Sequence, residues 1–442
     1  MWKKKEKHID DIIWEIFEED QKTLGLTRGN VFTRNFTNNE LYLESQQQKR
    51  ATARGGFLIG QLVHLASMNE HMALTFDDIA GSPYRALASR QDADTTTYLT
   101  KDITLPMPIV SANMEDVTGP SMAIAMAQMG GLGIIHQFYT AKRQADKVHS
   151  VKIAPIKKIN IDGREYTPSL AQDNSYLVGA AIGIHNGTEE RVRRLIDAGV
   201  DILVVDIAHG HSDQMIRLID QLKSIDSEIP VIAGNVAAPK GAYELCQAGA
   251  DVIKVNVGSG AACTTRLITG YGVPEIKAIY ETSLVAKKYG VKVMADGGIR
   301  TSGDLVKALA AGADTVMIGR LLAATNLSNN FKSRVVKKDK NKEPVLIRYS
   351  GSASEYSKHK QGRGSFDTPE GRTVYLHYGG DTYVTLAQLI TGIQSGISYS
   401  GNSRNPEIDE NANIARLQRK SRWTMQSVAG LYEGNKGSPS SK

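Results

Sequence analysis

The chain has only two cysteines, Cys246 and Cys263, in 442 residues. That excludes a disulfide framework, and neither cysteine stands in zinc-ligand spacing. Long apolar runs are also missing: the longest fall well short of the roughly 20 residues a membrane-spanning helix needs, so no membrane association is expected. Aromatic residues make up 6% of the chain and do not interleave with basic stripes. The formal net charge of +6 is small for this length, and the lysines are scattered except in MWKKKEK at the start and VVKKDKNK at 335–342. A nucleic-acid footprint is therefore not expected, while a basic balance suits anionic small molecules. The opening MWKKKEKHIDDIIWEIFEEDQK has early lysines, but acidic residues interrupt its apolar part and no cleavage site follows, so it does not read as a signal peptide. The cytoplasm is the expected location, because a reducing compartment preserves a free thiol.

A hydrophobic share of 41% is enough for a proper core, and 41 glycines suit an α/β architecture with many tight loops. Residues 1–73 read as an extension: an amphipathic helix near Asp10 to Asp20, then Asn- and Gln-rich text without recognisable chemistry. From residue 74 to 400 short apolar strands alternate with helical patterns. The strands are expected at 108–113, 131–136, 178–184, 202–208, 230–236, 252–257, 292–298 and 315–320. They are nearly continuous in apolar residues, as parallel strands covered by helices are. After the fourth, Ser212 can cap a helix whose Met215, Leu218, Ile219 and Leu222 recur on one face.

A small repeat accompanies the alternation. Ala198-Gly199-Val200-Asp201, Ala248-Gly249-Ala250-Asp251 and Ala311-Gly312-Ala313-Asp314 each stand between a helix and the next strand, where glycine fits a left-handed helix end. Eight strand–helix units in succession argue for an α/β fold of the (β/α)8 TIM-barrel type, with an open doubly wound sheet as the alternative. In a barrel Asn113, Asp206, Asn235, Cys263, Asp296 and Arg320 fall at or beyond C-terminal strand ends and share one mouth. The connector 151–176 is too short for an inserted domain. A lysine-rich connector follows at 327–344, then a Gly- and Ser-rich stretch at 348–374 that reads as a mobile loop, with a flap at 349–372. A last helix is expected over Leu386 to Gly396, and residues 401–442 read as a polar tail ending in disordered GNKGSPSSK.

The run VIKVNVGSGAACTTRLITGYGVP, 252–274, breaks from an apolar strand into a glycine-rich loop. Gly258 and Gly260 free the backbone to turn, and Thr264, Thr265 and Arg266 put polar donors beside the Cys263 thiol. An isolated cysteine there reads either as a nucleophile or as a small buried residue. His209 and His211 in AHGHS alternate without a third ligand and read as loop hydrogen-bonding groups, with no metal role.

LTFDD, PIVSANM, VVDIAHGHS, IAGNV, GSGAACTTR, ADGGIRTSGD and YSGSASE, in this order from about Leu74 to Tyr399, together resemble the IMP dehydrogenase and GMP reductase family. The resemblance implies a soluble TIM-barrel oxidoreductase of purine metabolism that assembles as a homotetramer. In both enzymes a cysteine thiolate attacks C2 of a purine nucleotide, and Cys263 matches that cysteine. The dehydrogenase passes hydride from IMP to NAD and adds water. The reductase expels ammonia from GMP and takes hydride from NADPH, giving IMP.

Three stretches lean towards the reductase. The 151–176 connector has no room for the two regulatory modules usual in the dehydrogenase. The flap is too short for the dehydrogenase's Arg-Tyr pair, Arg363 being followed by Gly364. YSGSASEY and ISYSG resemble the shorter bacterial reductase. IMP dehydrogenase and a noncatalytic purine-nucleotide-binding protein stay as alternatives. By the same resemblance, Thr265 and Glu370 match the pair that handles the leaving amino group, and Asp296, with Gly297 beside it, matches the acid that grips the ribose hydroxyls. Gly298, Gly319 and Tyr349 match positions around the 5′-phosphate, and Ser352 matches a base contact. Asp206 and Asn235 match positions near the nicotinamide ribose. In the dehydrogenase branch a monovalent cation, K+, is held by carbonyls matching those of Gly258, Gly260 and Cys263. The chain departs from the pattern where Ala261 replaces a phosphate-binding serine, Arg320 a small residue and Asn256 a glycine; the Arg320 guanidinium is expected to keep nucleotide anion binding in place of the lost hydroxyl. Phe366 and Asp367 also stand where one reductase type has Tyr and Arg.

Overall fold

The computed structural model describes residues 9–23, 63, 73–83, 89–184, 187–360, 368–400 and 422–425. Eight parallel strands close into a barrel: β1 (Ile109–Ser111), β2 (Leu132–Ile135), β3 (Val178–Ile182), β4 (Ile202–Asp206), β5 (Val231–Val236), β6 (Val252–Val255), β7 (Lys292–Asp296) and β8 (Thr315–Ile318). Neighbours in sequence are neighbours in space, and β8 closes on β1 with Val316 opposite Ile109 and Ile318 opposite Ser111. That closure excludes the open sheet. The strands are shorter than the apolar runs that announce them, because the C-terminal residues of several runs already turn into the loops of the mouth.

Helices cover the barrel as their periodicity predicts. After β4, Ser212 accepts the Met215 amide and caps helix Asp213–Ile225, which buries Met215, Leu218, Ile219 and Leu222. Each such burial is worth about 1.5–3 kcal/mol before ordering entropy is subtracted.

The Ala-Gly-x-Asp repeat acts through both its glycine and its aspartate. Gly199, Gly249 and Gly312 take φ of +82°, +95° and +122°, where a side chain would be strained. The carboxylates of Asp201, Asp251 and Asp314 each accept a strand amide, from Val178, Val231 and Val293, at 2.8 Å. Each aspartate amide returns a bond to the carbonyl of that same valine at 2.8–3.0 Å. Lys152 and Lys223 add ion pairs to Asp201 and Asp251 at 2.9 and 2.8 Å. The motif thus locks each new strand to the start of the preceding one.

Several connectors carry more structure than their composition announces. Within 151–176, Ile159–Ile161 and Arg164–Tyr166 form a hairpin, and the Arg164 guanidinium donates to Gln394 at 2.8 Å. The lysine-rich 327–344 segment contains helix Phe331–Arg334 and strand Val335–Lys338. That strand pairs with Pro344–Ser350, which pairs in turn with Thr373–His377. Part of the expected mobile loop is therefore ordered by this sheet, and Glu355–Lys360 within it is helical. The last helix runs over Thr382–Tyr399, longer than expected at both ends, because Asp381 caps it upstream of the apolar pattern.

The helix expected near Asp10 spans Ile9–Thr23 and packs on helix Glu275–Lys288, with the Tyr280 hydroxyl donating to Asp20 and Lys288 3.1 Å from Glu19. From the tail, Arg422–Met425 pairs with Ile79–Ser82. Most of the remaining extension, residues 361–367 with Arg363, Gly364, Phe366 and Asp367, and the GNKGSPSSK end lie outside the described residues. Among the described residues no helix is long and apolar enough to cross a membrane.

Candidate active site

The cysteine loop leaves β6 through Asn256, whose φ is +107°, and Gly258, whose φ is +85°. A Cβ on Gly258 would stand 2.6 Å from the Arg266 side chain, so the loop demands glycine there. The Gly260 carbonyl accepts the Cys263 amide at 2.9 Å and closes the turn. Half-buried Cys263 lies with its sulfur 3.2 Å from the Thr265 hydroxyl. That hydroxyl donates to Glu370 at 2.9 Å. Thiol, hydroxyl and carboxylate form one hydrogen-bonded chain, along which a proton can leave the sulfur. The other cysteine is unsuited to this chemistry, since burial pushes the Cys246 thiol up to about 12.

Glu370 is held from its backbone. Its carbonyl accepts the Thr264 amide at 2.9 Å, and the Arg372 amide donates to Ala262 at 2.9 Å, so flap and cysteine loop are zipped by main-chain bonds. Gly371 sits at the crossing, where a Cβ would come within 2.9 Å of the Ser354 amide nitrogen. The antiparallel strands Pro344–Ser350 and Thr373–His377 deliver this segment to the mouth.

Beside the loop opens a cleft of about 360 Å3, lined by Asp296, Gly297, Gly298, Gly319, Arg320 and Tyr349 among others. Six of the seven residues expected to bind nucleotide therefore share one cavity. Ser352 is not among its lining residues; its neighbour Gly351 packs on the Ala262 carbonyl instead. The Ser259 hydroxyl donates to the Asp296 carbonyl at 3.2 Å and ties the cysteine loop to the end of β7. Gly260 and Ala261 line the cleft, and a Cβ added to Gly260 would stand 3.3 Å from the Cys263 Cβ, so the cysteine borders the cleft behind them. Tyr349 is 3% exposed, and burial, reinforced by the charge of Asp296, holds its phenol above the ordinary range. Exposed Arg320 makes no hydrogen bond or ion pair among the described residues.

The cleft is also lined by charged groups. Arg266, expected as a donor beside the thiol, instead donates to the Val273 carbonyl at 2.9 Å and stands 3.5 Å from Glu275, and Arg300 pairs with Asp77. Burial raises the Glu275 carboxyl above its usual range despite the nearby guanidinium groups of Arg266 and Arg300.

Lys254 of β6 is the largest omission. It is 2% exposed, and its ammonium lies 2.9 Å from Asp206 and 2.8 Å from Asp296. Burial alone would lower its pKa, but the charges of the two aspartates outweigh it and hold the ammonium above its ordinary value. Asn113 donates to Asp206 at 2.5 Å, and Asn235 donates to Asp296 at 3.0 Å. The strand-end residues Asn113, Asp206, Asn235 and Asp296 thus meet in one network. A lysine inside the apolar run VIKVNV was the available signal, since a buried cation demands partners. Next to this network the Asn256 amide is buried, and neither of its polar atoms is paired among the described residues. His211 bonds Glu244 at 2.8 Å, and no cluster of three metal-ligating side chains occurs among the described residues.

Comparison with known proteins gives the family. The family model described as IMP dehydrogenase / GMP reductase domain matches residues 73–436. An inosine-5′-monophosphate dehydrogenase of Borreliella burgdorferi is 35% identical over 383 residues, covering 79% of this chain and 95% of that protein. One from Cryptosporidium parvum is 36% identical over 398 residues, covering 84% and 96%. A GMP reductase of Leishmania major is 31% identical over 482 residues, covering 81% and 96%.

Proposed function

The chain belongs to the IMP dehydrogenase and GMP reductase family of purine-nucleotide oxidoreductases, and we propose that within it the chain catalyses NADPH-dependent reductive deamination of GMP to IMP. The observation that carries this reading is the Cys263–Thr265–Glu370 chain, which joins the cysteine loop to the short flap. The Cys263 thiol gives up its proton along that chain, and the thiolate bonds to C2 of the purine. The 2-amino group leaves as ammonia, with Thr265 and Glu370 returning a proton to it. Bound NADPH supplies the hydride that enters at C2, and the sulfur departs as thiolate. The sum is GMP, NADPH and two protons giving IMP, NADP+ and ammonium.

In this reading Asp296 accepts the ribose hydroxyls, while Gly297, Gly298, Gly319 and Tyr349 frame the 5′-phosphate. Arg320, which makes no hydrogen bond or ion pair among the described residues, supplies the charge that offsets the missing hydroxyl at Ala261. Loops after the seventh and eighth strands commonly hold phosphate in such barrels. Asp206 and Asn235 serve the nicotinamide side, and the unpaired Asn256 amide fits a group that both donates and accepts. Ser352 is assigned to the base. A K+ ion would take carbonyls of Gly258, Gly260 and Cys263; Gly260 keeps one lone pair beside its bond to the Cys263 amide. Leu267 and Tyr271, 79% and 78% exposed, are apolar surface that assembly into a homotetramer would cover.

IMP oxidation with NAD is the second reading. It draws on the names of relatives, and the short connector does not separate the two: relatives named as dehydrogenases align over 95% and 96% of their length with only 383 and 398 residues. The test is spectrophotometric. Purified protein given GMP and NADPH should lose reduced-nicotinamide absorbance and release ammonium. Turnover with IMP and NAD alone would reverse the choice, and tight GMP binding without turnover would favour a noncatalytic binder.

A further inference from the structure

We infer that Lys254 is a positioning residue shared by the two halves of the proposed site: one ammonium aims both the nucleotide-side and the nicotinamide-side carboxylates. The inference rests on the functional reading above and deepens it by linking its two ligands.

The geometry is specific. Lys254 reaches Asp206 Oδ1 at 2.9 Å and Asp296 Oδ2 at 2.8 Å from the middle of β6, while those acids end β4 and β7. A cation that is 2% exposed is stable only if its lost hydration is replaced, and two carboxylates do so. The dependence runs the other way as well. Asp206 and Asp296 keep 27% and 23% of their side-chain surface exposed, so they are open to ligand, yet both contact the same ammonium. Without it, two like charges would be left at one barrel mouth with no cation between them, and each would lose the contact that fixes its direction.

The neighbours refine the picture. Asn113 donates to Asp206 Oδ2, so both oxygens of that acid are oriented by protein donors. On Asp296, Lys254 and Asn235 both use Oδ2. Oδ1 has no donor among the described residues, and the residue lines the cleft. A carboxylate with one oxygen pinned and the other turned to the cleft is suited to accept hydrogen bonds from a sugar diol. Rotation of the pinned oxygen would spoil that acceptor. Lys254 therefore acts on ligands through the two aspartates and touches neither ligand itself.

Three variants test this: Lys254→Met, Lys254→Arg, and Lys254→Met combined with Asp206→Asn. GMP and IMP affinities are measured by calorimetry, the nicotinamide KM by steady-state kinetics, and folding by thermal melting. Lys254→Met should weaken both nucleotide and nicotinamide binding by roughly tenfold or more, the scale of a typical coupling between sites. Lys254→Arg should recover part of both. The double variant removes the competing carboxylate along with the cation, so nucleotide affinity should return to within a few-fold of wild type while the nicotinamide KM stays raised. A purely structural lysine would shift the melting temperature without this split. Unchanged affinities in a folded Lys254→Met protein, or no nucleotide recovery in the double variant, would overturn the inference. If Lys254→Met does not fold, the arginine and double variants carry the same comparison. Wild-type protein that binds no purine monophosphate would instead sink the functional reading, and this inference with it.

Discussion

The Thr265 hydroxyl donates to the Glu370 carboxylate at 2.9 Å, across 105 positions of sequence. A hydroxyl has one proton to give, and here it points to the acid while the Cys263 sulfur approaches from the other side at 3.2 Å. Glu370→Gln should therefore lower kcat by about 100-fold or more, within the usual range for a lost acid–base group, while nucleotide affinity changes little. Thr265→Val should act in the same direction. Steady-state kinetics beside calorimetric binding checks both, and a kcat within twofold of wild type would remove the chain from the mechanism.

Cys263→Ala should abolish turnover and keep nucleotide binding, because the thiol is half-buried and contributes little packing. Alkylation followed by peptide mass spectrometry gives an independent readout. Iodoacetamide near neutral pH should label Cys263 and spare Cys246, whose thiol burial has pushed up to about 12. Bound GMP should protect Cys263. Preferential labelling of Cys246 would contradict the assignment.

Asn256 holds a positive φ and a buried amide with neither polar atom paired. Strain of this kind costs on the order of 1–3 kcal/mol, and a buried unsatisfied polar group adds a similar amount. Asn256→Gly should raise the melting temperature. An unchanged or lower value would mean that the amide is satisfied in solution and the backbone unstrained.

Burial raises the Asp314 carboxyl above its ordinary 3.8, more than Lys292 and the Val293 amide lower it. The folded chain then holds that proton more tightly than the unfolded one. The stabilisation is complete below 3.8 and is lost as pH rises through the folded value. Asp314→Asn does not titrate, so its stability relative to wild type should improve with rising pH across that window. Urea denaturation at a series of pH values measures the difference; a flat difference would refute it.

The barrel was legible because its signals are local. Apolar strand runs, the Ser212 cap and the glycine of each Ala-Gly-x-Asp joint report burial and backbone conformation within a few residues. The hairpin at Ile159–Tyr166 and the sheet that frames the flap were not, since their strands are short, polar and stabilised by pairing rather than by an apolar face. Lys254 went unread inside its apolar strand, because the carboxylates that make a buried ammonium tenable lie on strands 48 and 42 positions away.

The alternation, the cysteine loop and the chemistry its residue types permit follow from local pattern, because hydrophobic period and glycine placement act over one turn or one strand. That Glu370 sits on Thr265 and that a single ammonium serves both Asp206 and Asp296 follows from the folded barrel instead. Those contacts join strand ends and a flap far apart in the chain, and their geometry exists only once the barrel has closed and its loops converge at one mouth.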